Sequence, residues 1–164
     1  MKIDFEYTTL HDLPLIVQTY NASIPGRLAT ADLKKVSVTD KLQWFTSHNN
    51  KNRPLWKIMC DEKYAGWMSF NSFYGRPAYD GTVEVSIYLE KKFQGKGLGK
   101  MCLMKAIAEA PKMKIHTLLG FIFGHNESSL KLFKKFKFAK WAHLPEVANM
   151  DGVMRDLIIL GRKV

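Results

Sequence analysis

The sequence has few of the features that mark secreted, membrane-spanning or metal-binding proteins. Its 164 residues include only two cysteines, Cys60 and Cys102, which lie far apart and outside any CxxC spacing. They therefore predict neither a disulfide framework nor a metal site. No stretch approaches the roughly 18 apolar residues that a membrane span requires. The first ten residues carry acidic side chains and no apolar signal-peptide core, so we expect a cytoplasmic protein without a secretory signal.

Acidic residues are scarce relative to basic ones. Lys and Arg together number 25 against 15 Asp and Glu, which gives a formal net charge of +10 and a pI near 9.6. This excess favours an anionic partner, and nucleic acid, acidic lipid and a phosphorylated cofactor all satisfy it. Charge alone therefore predicts the sign of the partner's charge but not its class.

The chain also lacks internal repeats, low-complexity segments and linkers, so residues 1–164 are predicted to form a single domain. Alternating apolar residues predict strands over residues 2–9, 55–60, 64–73, 81–89, 115–124, 138–150 and 152–164. Helical periodicity predicts helices over residues 10–24, 37–49, 98–110 and 126–136. The order β-α-α-β-β-β-α-β-α-β-β indicates an α+β fold in which helices lie against a mixed sheet.

Capping residues predict where three of these helices begin. Asp12 precedes Pro14 and is expected to cap the first helix, and Thr39 or Asp40 is expected to open the second. Asn126 is expected to cap the fourth helix, because it precedes a segment with an apolar helical face.

A basic segment with three glycines, KKFQGKGLGK at residues 91–100, lies between a predicted strand and a predicted helix. Its glycines allow the backbone to approach an anion closely, and the start of the helix adds amide donors. The segment matches neither the GxGxxG of dinucleotide-binding folds nor the GxxxxGK[ST] of P-loop proteins. The residues alone leave three interpretations open: a cradle for a phosphorylated cofactor, a nucleic-acid contact and a solvated turn.

Residues 94–99, QGKGLG, resemble the Q/R-x-x-G-x-G/A loop with which the GCN5-related N-acetyltransferases, the GNAT superfamily, bind the pyrophosphate of acetyl-CoA. The neighbouring elements also follow the order of that superfamily: a strand, the loop, a helix, an apolar strand and then NESS at residues 126–129. Other segments are similar to the phosphinothricin acetyltransferase-like branch, namely YNASI (20–24), TAD (30–32), WF with His48 (44–48), GW (66–67), RPAYDGTVEVSIYL (76–89) and MRDLIIL (154–160). The resemblance extends over almost the whole chain.

The resemblance implies the GNAT fold, a mixed and mostly antiparallel twisted sheet with flanking helices, and acetyl-CoA as the cofactor. The strand before the loop is expected to bind the pantetheine arm through its main chain, and the loop amides are expected to bind the pyrophosphate. Lys96 and Lys100 would add positive charge, and Asn126 would reach the pantetheine. The expected cofactor-binding residues are Ile87, Tyr88, Leu89, Gln94, Gly95, Lys96, Gly97, Leu98, Gly99, Lys100, Asn126 and Ser129.

Glu84 is the candidate catalytic residue. Acetylation requires a neutral amine, so a base must remove a proton from it directly or through water. Glu84 lies mid-strand between Val83 and Val85, on the face opposite the apolar stripe, where partial burial would raise its pKa. The pattern alone equally allows a surface glutamate, and the resemblance implies the role of base. The expected acceptor-binding residues are Phe73, Tyr74, Arg76, Glu84 and Ser86.

Two positions depart from the pattern of the branch. Phe133 occupies the position seven residues after Asn126, where the superfamily often has tyrosine and the branch usually has histidine, and phenylalanine cannot donate a proton. Tyr88 and His125 lie near in sequence but are expected to be structural. Tyr74 replaces the first of two arginines, whereas Arg76 is retained and suits bidentate binding of a substrate carboxylate.

Together these features predict an acetyl-CoA-dependent N-acetyltransferase. It would acetylate the primary amine of a small, amino-acid-like substrate of the phosphinothricin or methionine sulfoximine type, by direct attack in a ternary complex. The alternatives are a GNAT enzyme for a protein N-terminus, a polyamine or an aminoglycoside, and a non-catalytic module that binds CoA or nucleic acid. We expect no nucleic-acid or membrane partner, and the family is often homodimeric.

Overall fold

The computed structural model describes residues 1–164 and contains a single seven-stranded sheet with four α-helices. The strands are β1 (Ile3–Tyr7), β2 (Leu55–Cys60), β3 (Lys63–Ser72), β4 (Thr82–Leu89), β5 (Thr117–Phe123), β6 (Ala139–Met150) and β7 (Val153–Lys163). The helices are α1 (Leu13–Ser23), α2 (Val38–Thr46), α3 (Leu98–Glu109) and α4 (Glu127–Lys135). The predicted order of elements and the α+β class are confirmed. None of the helices has the length and apolar composition that crossing a membrane would take.

The sheet has the strand order β1-β2-β3-β4-β5-β7-β6, and β4 and β5 form its one parallel pair. A parallel pair needs a crossover connection, which here contains α3. The pairing covers only Thr82–Glu84 against Thr117–Leu119, although β4 continues to Leu89 and β5 to Phe123. The two strands therefore diverge after Glu84 and leave a cleft in the middle of the sheet.

Two apolar clusters cover the two faces of the sheet. The larger cluster packs α3 and α4 against one face, and its fully buried side chains include Ile58, Met68, Phe70, Val83, Leu103 and Leu118. The smaller cluster packs α1 against the other face and contains Ile16, Tyr20, Ile24, Leu55 and Trp67. Because side chains alternate along β4, burial of Val83 and Val85 in the larger cluster places Glu84, Ser86 and Tyr88 on the α1 face.

Ser37 caps α2, so the expectation that Thr39 or Asp40 opens this helix is wrong. The Ser37 hydroxyl accepts a hydrogen bond from the Asp40 amide at 3.0 Å, and the Asp40 carboxylate accepts one from the Ser37 amide at 2.7 Å. This reciprocal capping box makes Asp40 the third helical residue.

Asp12 occupies the N-cap of α1, as predicted, but its carboxylate does not cap that helix. It accepts from the Thr9 amide at 2.7 Å and from Lys57 at 3.3 Å, which ties the start of α1 to β2.

Replacing Ser37 with alanine should lower the free energy of unfolding by about 1 kcal/mol, because the Asp40 amide loses its acceptor at the start of α2. Urea denaturation measures this change. Thr39→Ala is the matched control, since Thr39 is an exposed residue inside the first turn and should alter the free energy by less than about 0.5 kcal/mol. An equal loss in both variants would contradict the assignment of Ser37 as the cap.

Candidate active site

The cleft between β4 and β5 exposes main-chain groups that the sheet leaves unpaired. β4 stays bonded to β3 as far as Leu89, so only its β5-facing edge lacks a neighbouring strand, from Val85 onward. Amide and carbonyl groups along such an edge can bind an extended ligand in the way that they bind a strand. Ile87, Tyr88 and Leu89, the residues predicted to contact pantetheine, lie along this stretch of β4.

The glycine loop follows β4 after a short 3₁₀ turn and ends at the N-terminus of α3. Gly95 and Gly97 have φ angles of +72° and +84°, and a Cβ at either position would meet no atom within 4 Å. The amides of Gly95, Lys96 and Gly97 donate to no backbone carbonyl, and the first amides of α3 are free as at any helix start. The loop thus presents a row of donors toward open space.

The remaining predicted loop residues contribute in different ways. The Gln94 side chain donates to the Leu89 carbonyl at 3.0 Å and so joins the loop to the end of β4. The Leu98 side chain is buried in the larger cluster, so only its amide is available to a ligand. Lys96 and Lys100 are exposed beside the loop.

Gly99 serves packing and not the loop conformation. A Cβ at Gly99 would lie 2.9 Å from the Leu132 side chain, so glycine lets α3 and α4 approach each other closely. Phe133 of α4 is buried, and its ring fills the space beside Gly120 of β5 and packs against Phe138 at 4.9 Å between ring centroids. Phe133 is therefore a core residue that offers no proton to the cleft.

Asn126 caps α4, as predicted, because its Oδ1 accepts from the Ser129 amide at 3.2 Å. Its Nδ2 is directed elsewhere, toward residues 27–29 of the α1–α2 connection. Ser129 thus contributes its main-chain amide to the cap of α4.

Residues 27–29 form a strap beside the cleft, held by side chains from three positions. The carbonyls of these residues lie at hydrogen-bonding distance from His125 Nε2 (2.7 Å), Asn126 Nδ2 (3.1 Å) and the Tyr88 hydroxyl (3.0 Å). Burial raises the pKa of Tyr88 far above its ordinary value, so its phenol stays protonated and donates. Tyr88 and His125 are both engaged in this structural contact.

Glu84 lies at the last paired position of β4, where the cleft opens. Its side chain is half-buried, and its one hydrogen bond comes from Ser86 Oγ at 3.5 Å from Oε1. Desolvation raises the pKa of Glu84 above its ordinary value near 4.5, and the Ser86 hydroxyl opposes this to a lesser degree. A carboxylate with a raised pKa at the mouth of a cleft can act as a proton acceptor near neutral pH.

Three of the predicted acceptor residues, Phe73, Tyr74 and Arg76, lie in the connection between β3 and β4. Phe73 packs against Tyr74 and Tyr79, with ring centroids 4.5 and 5.4 Å apart, and faces Phe121 of β5 at 6.5 Å. Tyr74 is 78% exposed. Arg76 is also exposed and takes part in none of the ion pairs of the structure. The structure thus places Phe73 against β5 and leaves Tyr74 and Arg76 at the surface.

The buried Arg53 side chain binds both ends of the β3–β4 connection, a role that the sequence did not indicate. It is 7% exposed, and its guanidinium donates to Ser72 Oγ at 2.8 Å and to the Asp80 carbonyl at 2.9 Å. These contacts join the two ends of the β3–β4 connection, far from Arg53 in the chain, so no local pattern could have revealed them.

A cavity of about 80 Å³ lies beside Ser86 on the α1 face, between α1, α2, β3 and β4. Its lining includes Lys41 and Asn71, which sequence reasoning also missed, together with aromatic side chains. The Lys41 ammonium lies 4.5 Å from the centre of the Tyr20 ring. Asn71 lies opposite Glu84 in the register of β3 and β4. The sequence shows which residues of β3 share a face, but it does not show which residue of β4 each of them faces.

Comparison with known proteins is consistent with this geometry. Residues 18–138 match the model of the Acetyltransferase (GNAT) family. The chain is 47% identical over 155 residues to the Bacillus subtilis protein named "Putative phosphinothricin acetyltransferase YwnH", with 93% of this chain and 94% of that protein covered. It is 26% identical over 149 residues to the L-methionine sulfoximine/L-methionine sulfone acetyltransferase of Salmonella typhimurium, with 91% and 87% covered.

A crystal structure described as a "putative phosphinothricin N-acetyltransferase" matches the fold with a TM-score of 0.95 and 44% sequence identity. The match covers 99% of this chain and 98% of that chain. The extent of these similarities, together with the family model that spans the cleft and the glycine loop, shows that the chain belongs to the GNAT acetyltransferase family.

Proposed function

We propose that this protein is an acetyl-CoA-dependent N-acetyltransferase for the primary amine of a small, amino-acid-like substrate. The observation that carries the proposal is the position of Glu84, a carboxylate of raised pKa where β4 and β5 part. From there an unpaired strand edge runs to the end of β4, and the loop of free amides follows. Family membership supports acetyl-CoA as the acetyl donor.

In this proposal the main chain holds the cofactor. The pantetheine arm would run along the free edge at residues 87–89, and the pyrophosphate would lie on the amides of residues 94–99. The fit rests on the open space at Gly95 and Gly97 and on the positive end of the α3 dipole. Lys96 and Lys100 would attract the phosphates, and the Asn126 and Ser129 segment would lie near the pantetheine.

Glu84 would remove a proton from the acceptor amine, directly or through water, so that the nitrogen can attack the acetyl carbonyl. The new C–N bond forms as the C–S bond breaks, and the departing thiolate takes its proton from water because Phe133 offers none. Both cysteines are buried, and burial raises the pKa of Cys102 to about 12, which argues against a cysteine nucleophile. Direct attack in a ternary complex is therefore the proposed route.

The acceptor class rests on Arg76 and on the relatives. An exposed guanidinium without an ion pair suits a substrate carboxylate, and the aromatic group around Phe73 offers an apolar surface to the rest of the substrate. One relative is named "Putative phosphinothricin acetyltransferase YwnH", and the other is an L-methionine sulfoximine/L-methionine sulfone acetyltransferase. We also propose that the protein is a cytoplasmic homodimer without nucleic-acid or membrane partners. The lysines at 131, 134 and 135 lie on the exposed side of α4, as expected for the solvated face of an amphipathic helix.

An amine panel assayed by thiol release from acetyl-CoA tests the acceptor class. Phosphinothricin, methionine sulfoximine and methionine sulfone should give higher kcat/KM values than spermidine, a peptide N-terminus or an aminoglycoside. Arg76→Ala should raise the KM for the amino acids by roughly tenfold or more, since a charge-assisted bond to the carboxylate is lost. Arg76→Lys should be intermediate, because it retains the charge but not the bidentate geometry. Preference for spermidine would refute the proposed acceptor.

Glu84→Gln should lower kcat/KM at neutral pH by roughly 100-fold or more and leave the KM for acetyl-CoA nearly unchanged. In the unmodified enzyme, activity should fall as the pH drops through the raised pKa of Glu84, because the protonated carboxyl cannot accept a proton. This acidic limb should be absent in the variant. Glu62→Gln, in the exposed β2–β3 turn, is the control. A pH–rate profile unaffected by Glu84→Gln would remove Glu84 from the mechanism.

Gly97→Ala should raise the KM for acetyl-CoA by about tenfold with little change in kcat, because the added Cβ enters the space proposed for the pyrophosphate. Gly152→Ala is the matched control: its φ of +88° imposes similar backbone strain, and its surroundings are equally open. If the two variants bind acetyl-CoA equally well, the loop does not hold the pyrophosphate as proposed.

A further inference from the structure

We propose that Asn71 and His48 are positioning residues that act on the Glu84 carboxylate through the Ser86 hydroxyl. The inference rests on the proposed role of Glu84 as the base. It extends the site away from the cofactor cleft, into the contact between α2 and the sheet.

Asn71 uses all four hydrogen-bonding positions of its side-chain amide. Its Oδ1 accepts from Trp44 Nε1 at 3.2 Å and lies 3.1 Å from His48 Nε2, and its Nδ2 donates to Ser69 Oγ at 3.2 Å and Ser86 Oγ at 3.0 Å. An indole N–H can only donate, so the atom that faces Trp44 must be the amide oxygen. The orientation of the Asn71 amide is thereby determined.

This orientation determines where the Ser86 hydrogen points. Because Ser86 Oγ accepts from Asn71, its own hydrogen is free to be donated, and Glu84 Oε1 lies 3.5 Å away. This is the one hydrogen bond that the Glu84 side chain forms, so Ser86 is the only residue that orients the Glu84 carboxylate by hydrogen bonding. The donations from Trp44 through Asn71 and Ser86 all run toward the carboxylate, and aligned bonds of this kind strengthen one another.

His48 contacts Asn71 at the end of this series of hydrogen bonds that is farthest from Glu84. Its Nδ1 lies 2.8 Å from the Trp44 carbonyl and its Nε2 faces the Asn71 oxygen, so each ring nitrogen faces an acceptor. Burial and, to a lesser degree, the charge of Arg53 lower the pKa of His48, which favours the neutral ring. A neutral imidazole has one N–H, so His48 donates to Asn71 Oδ1 in the tautomer that is protonated at Nε2. His48 contacts no reacting atom. It orients the Asn71 amide, and Arg53 is the charged group that acts on it from the start of β2.

Ser69 offers an internal comparison. It pairs with Ser86 in the register of β3 and β4 and accepts from the same Asn71 amide, but it is fully buried and bonds to no carboxylate. Removing either hydroxyl takes one partner from Asn71, and only removal of the Ser86 hydroxyl also takes the donor from Glu84. The two serines therefore separate a positioning role from a general contribution to packing.

The test is the titration of the Glu84 carboxyl, followed by ¹³C NMR in protein labelled at the glutamate side chains and assigned with Glu84→Gln. Ser86→Ala should raise the apparent pKa of Glu84 by about half to one unit, less than the roughly one to two units of a full bond to a charged acceptor because the Ser86 Oγ–Glu84 Oε1 distance is 3.5 Å. Ser69→Ala should leave it unchanged, and Ser86→Thr, which retains a hydroxyl, should restore it. The acidic limb of the pH–rate profile should move in the same order.

Asn71→Leu removes the donor that orients the Ser86 hydroxyl and adds no charge beside Glu84. The Ser86 hydrogen is then no longer directed at Glu84 Oε1, so the Glu84 titration should shift upward, by no more than in Ser86→Ala. His48→Phe should shift it in the same direction, and His48→Gln, which keeps a donor, should shift it less. Identical Glu84 titrations in the unmodified protein, Ser86→Ala and Asn71→Leu would overturn the inference.

The NMR titration requires no turnover, so it separates this inference from the proposed function. If the Glu84 titration responds to Ser86 and Asn71 as expected but Glu84→Gln leaves the acetylation rate intact, the chain of hydrogen bonds stands and the role of Glu84 as the base is wrong.

Discussion

The divergence of β4 from β5 after Glu84 is the constraint on which the rest of the site depends. Their parallel pairing requires a crossover, and the connection from the end of β4 leads through the glycine loop into α3. The helix N-terminus with its free amides consequently follows the far end of the unpaired stretch of β4, beyond Leu89. One interrupted strand pair thus leaves a carboxylate at the start of an unpaired main-chain edge and a loop of free amides beyond its end.

This arrangement concentrates features that cost stability. Main-chain groups inside a sheet are ordinarily paired, yet the β4 edge is not. Glu84 is held where ionisation is disfavoured, since desolvation raises its pKa. The strap at residues 27–29 offsets part of this cost with its three side-chain contacts, and an Arg27–Asp151 ion pair of 2.7 Å ties it to the β6–β7 turn. Such a concentration at one place is typical of a functional site.

Local pattern was sufficient for the order of elements, the face of β4 that carries Glu84 and the Asn126 cap, because each depends on residues close together in the chain. It failed at the start of α2, where Ser37, Thr39 and Asp40 are all good capping residues and only the helix geometry selects among them. It also missed Asn71, Lys41 and Arg53, whose neighbours come from other elements. Strand register and helix docking bring these residues together, and neither can be read from spacing.

The same distinction explains why the cofactor is more readily inferred than the acceptor. Recognition of the cofactor would use main-chain groups and two glycines with positive φ, which a short motif is enough to encode. Recognition of the acceptor would use side chains from the β3–β4 connection and from β4, beside a cavity formed by four elements. Tyr74 shows the consequence: it replaces an arginine in the motif, yet it points to solvent, and the neighbouring Arg76 remains free. Under the proposed function, discrimination between amines would depend on the placement of a few surface side chains, which can change while the loop and the divergent strands stay the same.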